Sequence, residues 1–314
     1  YERVVRESLG NGTTCCVYFA TVHKEATKCL MEVCHEMKQR AYVGKVCMHI
    51  NSPEDYKDES VEQCMADNQE IYEHSATLPN VHSVVTPRFA PVCSVEMMRA
   101  LGEFAKQRNL LIQSHISESR GEIACMADLF PEKSYAQVYD ECGLLNDRTV
   151  MAHAVHLSEG EQQLFKLRNA AIAHCPISNY ALNSGIANVR TLTDKGILVG
   201  LGSDVSGGWT VNMLEVMRMA VIASRSLQFT NMDQNYRSLS YSDAFYLGTR
   251  GSALSIRRPD LGLFDVGCKC DALSISMAPN DKHRKLEERF QKYFYWDDDR
   301  NIMGIYVDGH APDL

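Results

Sequence analysis

Leu110-Leu111-Ile112-Gln113-Ser114-His115-Ile116-Ser117-Glu118 decides how this chain is read. An apolar run leads into a histidine, and a carboxylate follows three positions later. That is the pattern of a buried parallel strand presenting a metal ligand and a proton carrier at its C-terminal end. Two later stretches end alike, Thr149-Val150-Met151-Ala152-His153 and Ile197-Leu198-Val199-Gly200-Leu201-Gly202-Ser203-Asp204. In a barrel of parallel strands such ends converge on one mouth, where these barrels hold their sites. His115, His153 and Asp204 are therefore expected to meet.

Working outward, strand and helix alternate. Glu2 to Leu9 has a helical pattern closed by Gly10-Asn11-Gly12, and Thr13 to Phe19 reads as a strand. Lys24 to Gln39 predicts a helix with Cys29, Leu30, Val33 and Met37 on one face, and Ala41 to Val46 the next strand. An acidic helix from Ser60 to His74 precedes the strand Val81 to Phe89, whose Pro87 must stand at the strand end. This puts Arg88 at the mouth. Ser94 caps a helix, two helical patterns lie between Ser119 and Cys142, and Ser158 with Glu161 forms a capping box. Ala171 to Pro176 is a short strand, and a helix near Ala187 to Lys195 leads to the strand ending at Asp204.

Seven strand patterns lie between Thr13 and Asp204, each separated by helical sequence. A closed (β/α)8 barrel of the TIM type has eight, so the expectation is such an α/β barrel lacking its first strand, which belongs before Tyr1. Helices over Val211 to Ser224 and Ser240 to Leu254 complete the outer ring. The tail, with strands at Ala272 to Ser276 and Ile302 to Val307, predicts a small β layer. The expected division is a barrel over 1–257 and a C-terminal β segment over 258–314.

The chain has 314 residues, 45% of them hydrophobic, and a formal charge of −8 without a run of like charge. Such a chain can bury a large core, and nothing in it points to nucleic acid or an anionic membrane as partner. The 12 cysteines include Cys15, Cys16, Cys29, Cys47 and Cys142 in apolar segments and are read as reduced packing residues. Cys268 and Cys270 stand at the wrong spacing for a zinc ribbon, so no cysteine metal site is expected. With no bilayer-length apolar run and no signal peptide, a cytoplasmic enzyme acting on a small molecule is the default.

Histidine and aspartate are common zinc ligands, and bound zinc acidifies its water. Glu118 is placed to move a proton between that water and a leaving group. Any one of these histidines alone is as well explained by a hydrogen-bonded core role; three strand ends together point to a site. His174 stays open between a structural and a site role. His156 is expected to face the loop, and His23, His35, His49, His74 and His82 have no convergent partner. Arg88 is either a solvated rim charge or a guanidinium that stacks on and hydrogen-bonds a planar heterocycle.

These motifs resemble the amidohydrolase superfamily: Ser114-His115-Ile116-Ser117-Glu118, Met151-Ala152-His153, Ala173-His174-Cys175-Pro176 with Ser178-Asn179, and Gly202-Ser203-Asp204. Thr86-Pro87-Arg88-Phe89, Asn11-Gly12-Thr13-Thr14 and Asp298-Asp299-Arg300-Asn301-Ile302 resemble its guanine-deaminating branch. The resemblance runs over essentially the whole chain. It implies hydrolysis of guanine to xanthine and ammonia on one zinc ion per chain, in a homodimer. It also implies that His115 and Asp204 bind the metal, Asp204 orienting the attacking hydroxide as well. Glu118 would shuttle the proton, His153 would stabilise the added oxygen, and Arg88 with Phe89 would hold the base, so that the substrate touches Arg88, Phe89, His115, Glu118, His153 and Asp204.

The family's first strand ends in a His-x-His pair that supplies two more ligands, and this sequence contains no such pair. The absent strand and the absent pair are read as one absence, which predicts an open barrel with two unpaired edges and weak or no activity. In the tail Gly267-Cys268-Lys269-Cys270-Asp271 has cysteine where lysine is usual. Two rival readings stand beside this one: a related amidohydrolase acting on another amino-heterocycle, and a catalytically silent barrel that serves as a binding partner.

Overall fold

The predicted alternation of strand and helix is what the chain builds. The structure is a computed structural model and describes residues 1–230, 235–277 and 283–312. The strands are β1 (Cys15–Phe19), β2 (Arg40–Gly44), β3 (Val46–Cys47), β4 (Val81–Pro87), β5 (Leu111–Ile116), β6 (Thr149–His153), β7 (Ala171–His174) and β8 (Leu198–Leu201). All pair in parallel, in the order β1-β2-β4-β5-β6-β7-β8, with β3 paired to β4. The sheet curls into a (β/α) barrel whose edges are β1 and β8. Among the described residues these two edges do not pair with each other.

Capping serines start many of the helices, as polar N-caps should. Ser60, Ser94, Ser119, Ser134, Ser158 and Ser240 each accept a backbone N–H from the first turn. Asn109 and Asn169 end theirs in the left-handed conformation. Ile112, Met151, Ile172 and Val199 from successive strands join one core with Met97, Met98, Leu101, Phe104 and Phe165 from the helices outside. β8 comes so close to the segment Leu247–Gly251 that a Cβ on Gly251 would lie 2.7 Å from the Val199 carbonyl oxygen.

Four details differ from the sequence reading. The second predicted strand breaks at Lys45, whose buried side chain turns inward to pair with Asp58. Cys29 is exposed, because at about 100° per residue it falls beside the Leu30 stripe rather than on it. The predicted helix over Ser240 to Leu254 forms, but it runs through a π-helical turn at Leu247–Gly251. The tail has the two expected strands, Ala272–Ile275 and Ile302–Tyr306, which pair antiparallel, but the helix Leu286–Trp296 stands between them. We retain the division into residues 1–257 and 258–314 as a proposal. The tail is tied to the barrel by the Arg40–Asp271 ion pair and by Arg218, whose Nε donates to the Phe294 carbonyl at 2.6 Å.

Candidate active site at the strand ends

β5 delivers His115, β6 His153, and the turn after β8 Asp204. His153 lies at the centre. Its Nε2 is 3.7 Å from Glu118 Oε2 and 4.0 Å from Asp204 Oδ2, and its ring stacks on that of His115 at 5.3 Å between centroids. Its Nδ1 meets Asn179 Oδ1 at 3.0 Å, which fixes the ring's orientation. His115 is held from its other side: Nδ1 is 2.6 Å from the Arg88 carbonyl oxygen, and Phe19 packs on the ring at 4.5 Å. Burial, then the neighbouring His153, push the His115 pKa down to about 4, so this imidazole is neutral at ordinary pH.

The loops are built to hold these groups. Ser117, His153, Ala154 and Asp204 all have positive φ without being glycine. Conformations of this kind cost of order 1–3 kcal/mol each and persist only where the surroundings fix them. Tyr139 Oη supplies part of that support, donating to the His115 carbonyl at 2.8 Å and accepting from the Ala90 N–H at 3.0 Å. Ser184 Oγ donates to Glu118 Oε1 at 3.0 Å, leaving Oε2 towards His153. A Cβ on Gly207 would come within 3.0 Å of Asp204 Oδ2. A side chain there would press on the carboxylate, which glycine leaves in place.

Arg88 follows β4 and is exposed at the rim, its guanidinium 5.7 Å from the centre of the Phe89 ring. Its backbone N–H donates to the Cys47 carbonyl at 3.1 Å. A cavity of about 800 Å³ runs from His115 and Asp204 between β1 and β8 towards Leu273 and Ile302. It is wide enough for a small heterocycle.

The Amidohydrolase family model matches residues 1–311. The chain is 41% identical to the guanine deaminase of Dictyostelium discoideum, over 99% of this chain and 70% of that protein. It is 39% identical to the Homo sapiens guanine deaminase, over 98% of this chain and 71% of that one. The solved guanine deaminase from C. acetobutylicum, with bound guanine in its active site, superposes with a TM-score of 0.93 at 37% identity, over 99% of this chain and 74% of that chain. The chain belongs to the amidohydrolase family, and within it to the guanine deaminases. The likeness covers the barrel, the mouth and the tail alike.

Of the residues named from sequence, Glu118, His153 and Asp204 form one cluster and His115 stacks on it, while Arg88 reaches His115 through its backbone carbonyl and keeps its guanidinium at the exposed rim. Phe89 stays beside Arg88. His156 faces the loop as expected, its Nε2 at 2.8 Å from the Ser184 carbonyl oxygen. His174 is fully buried with no hydrogen-bond partner at Nδ1, and burial followed by His153 lowers its pKa to about 3. Sequence reasoning gave no role to Ser184, to Asn179 or to Tyr139. The Ser178-Asn179 motif carried the signal for Asn179; a serine 66 positions from Glu118 carried none.

Proposed function

We propose that this chain hydrolyses guanine to xanthine and ammonia as a zinc enzyme. The observation that carries the reading is the convergence of Glu118 and Asp204 on one nitrogen of His153, beside the stacked His115. His115 and Asp204 fit as ligands of the ion. A neutral imidazole whose Nδ1 is held by a carbonyl presents Nε2 to a metal, the arrangement that commonly orients such ligands. Bound zinc supplies a water acidified towards neutrality.

The remaining work falls to the side chains. Asp204 orients the attacking oxygen. Glu118 protonates the purine ring nitrogen and then carries a proton to the departing amine, which must leave as neutral ammonia. Ser184 keeps one Glu118 oxygen occupied, so the proton moves through the other. His153 stabilises the oxygen that adds to the ring carbon. Arg88 hydrogen-bonds the base and Phe89 stacks on it. The working form proposed is a cytoplasmic homodimer; no described helix is long and apolar enough to cross a membrane.

The test is xanthine formation by the purified chain supplied with zinc, with the metal counted separately. Glu118→Gln is expected to lower turnover by about 10²–10⁴-fold, the usual weight of general acid–base catalysis. Arg88→Ala is expected to impair guanine more than other amino-heterocycles. Equal loss on all of them would move the reading to a related amidohydrolase of other specificity. A folded chain that takes up zinc at the mouth, binds guanine and never turns it over would make this a binding protein.

A further inference from the structure

Metal-ligating side chains also gather away from the mouth. Cys47 on β3, Asp58 in the following loop and Cys64 in the helix Val61–Ser75 bring two sulfurs and a carboxylate oxygen within 4.8 Å of one another. Both cysteines are fully buried and Asp58 is 6% exposed. Two buried thiols alone would be ordinary core packing. These two are surrounded by polar groups that packing does not require. The Lys45 ammonium, wholly buried, pairs with Asp58 Oδ1, and Met48 N–H donates to Oδ2 at 3.0 Å. Asn68 Nδ2 donates to Cys47 Sγ at 3.3 Å and lies 3.6 Å from Cys64 Sγ.

We propose that Cys47, Cys64 and Asp58 form a closed structural site for a thiophilic divalent cation of the zinc and cadmium class. Three considerations support this and none depends on the proposed activity. Thiolates and a carboxylate are the donors such ions take, and a structural site is sealed from water. The Asn68 amide, anchored by one N–H to the Cys64 carbonyl at 2.8 Å, turns its other N–H to Cys47 Sγ, a contact that orients and stabilises a bound thiolate. Charge decides the valence: a divalent ion with two thiolates, one carboxylate and the Lys45 ammonium is neutral, whereas a monovalent ion leaves a buried negative charge.

Binding forms two metal–sulfur bonds and one metal–oxygen bond and releases the thiol protons to water, with no change of oxidation state. The Asp58 carboxylate keeps lone pairs for the ion beside its two present partners. The Cys47 carbonyl accepts both the Arg88 N–H at 3.1 Å and the Cys93 S–H at 3.2 Å. The ion would therefore staple the helix Val61–Ser75 to the strand edge that sets Arg88.

The test removes the mouth ligands with His115→Ala and Asp204→Ala and counts metal in the full chain purified from zinc-supplemented cells. Parallel preparations are loaded with cadmium, whose thiolate charge-transfer absorption reports sulfur ligation. About one ion per chain with that absorption is expected. Cys47→Ser and Cys64→Ser lose both, and Asn68→Leu weakens binding by ~10–100-fold. Circular dichroism checks folding. Should the serine variants not fold, the rate of thiol labelling in urea of the chain with native cysteines decides: zinc slows labelling of Cys47 and Cys64, and a chelator restores it. Metal content unchanged in folded Cys64→Ser, a folded chain without metal or charge transfer, equal labelling with and without zinc, or a Cys47–Cys64 disulfide in mass mapping would each overturn the site.

Discussion

At the mouth, His153 and Asp204 sit with positive φ, Asp204 and Glu118 are partly open to solvent, and the nearest carboxylate oxygens stand 3.7 and 4.0 Å from the imidazole. At Cys47, two thiols and a carboxylate are sealed from water, and both Asp58 oxygens have partners. Strained, partly wet groups at loose distances can tighten on a substrate and let it go. Satisfied, dry groups hold what they have. One sheet thus carries a region suited to turnover and another suited to permanence, and burial with charge compensation separates them.

The contrast is broken most severely at Lys45. Lys45→Met leaves the Asp58 carboxylate buried with only the Met48 N–H for company. Removing one partner of a buried pair typically costs about 3–5 kcal/mol, and that loss is expected in urea unfolding. Adding Asp58→Leu to Lys45→Met should recover much of it, because the uncompensated charge goes with it. If the single variant unfolds at the same urea concentration as the parent, the dry region is not held by charge pairing at all.

A smaller effect comes from acid. His174 has its pKa lowered to about 3 from 6.5, because burial and His153 oppose its charge. The unfolded chain takes up a proton below pH 6.5 that the folded chain refuses until about pH 3. The stability contribution is therefore complete above pH 6.5 and declines as pH falls, by ~2 kcal/mol at pH 5. His115 acts in the same direction. Urea midpoints at pH 7 and pH 5 measure the loss. His174→Leu gives up no hydrogen bond at Nδ1 and should flatten the difference; an unchanged slope would mean that His174 does not titrate on unfolding.

How much of this was legible follows from how each part is specified. The strands and the mouth read directly, since apolar runs ending in His115, His153 and Asp204 are local patterns and the barrel supplies their convergence. The Lys45–Asp58 pair did not read, because a lysine inside a strand and an aspartate in a polar loop become partners only after β3 has docked on β4. Cys47 and Cys64 share no ligand spacing in sequence. Cys64, Asn68 and Ile71 do recur on one helical face, which marks what that helix buries but not what it meets. The helix Leu286–Trp296 carried its own signal in Leu286, Phe290, Tyr293 and Phe294, but the two flanking strands drew the whole tail into a β reading.

The smallest effect tests the mouth's own positioning. Ser184 is anchored by the His156 ring at its carbonyl and gives its hydroxyl to Glu118 Oε1. Ser184→Ala removes that donor without changing the charge of Glu118 or adding bulk. Glu118 then swings between two equivalent oxygens instead of presenting Oε2 to His153 at 3.7 Å. Proton transfer suffers more than binding, so kcat should fall about tenfold, or ~1.4 kcal/mol of barrier, with KM nearly unchanged. Ser184→Thr, which keeps the hydroxyl, should restore most of it. A rise in KM with kcat intact would instead make Ser184 a wall of the substrate pocket, and Glu118 would owe its aim to the loop that strained Ser117 begins.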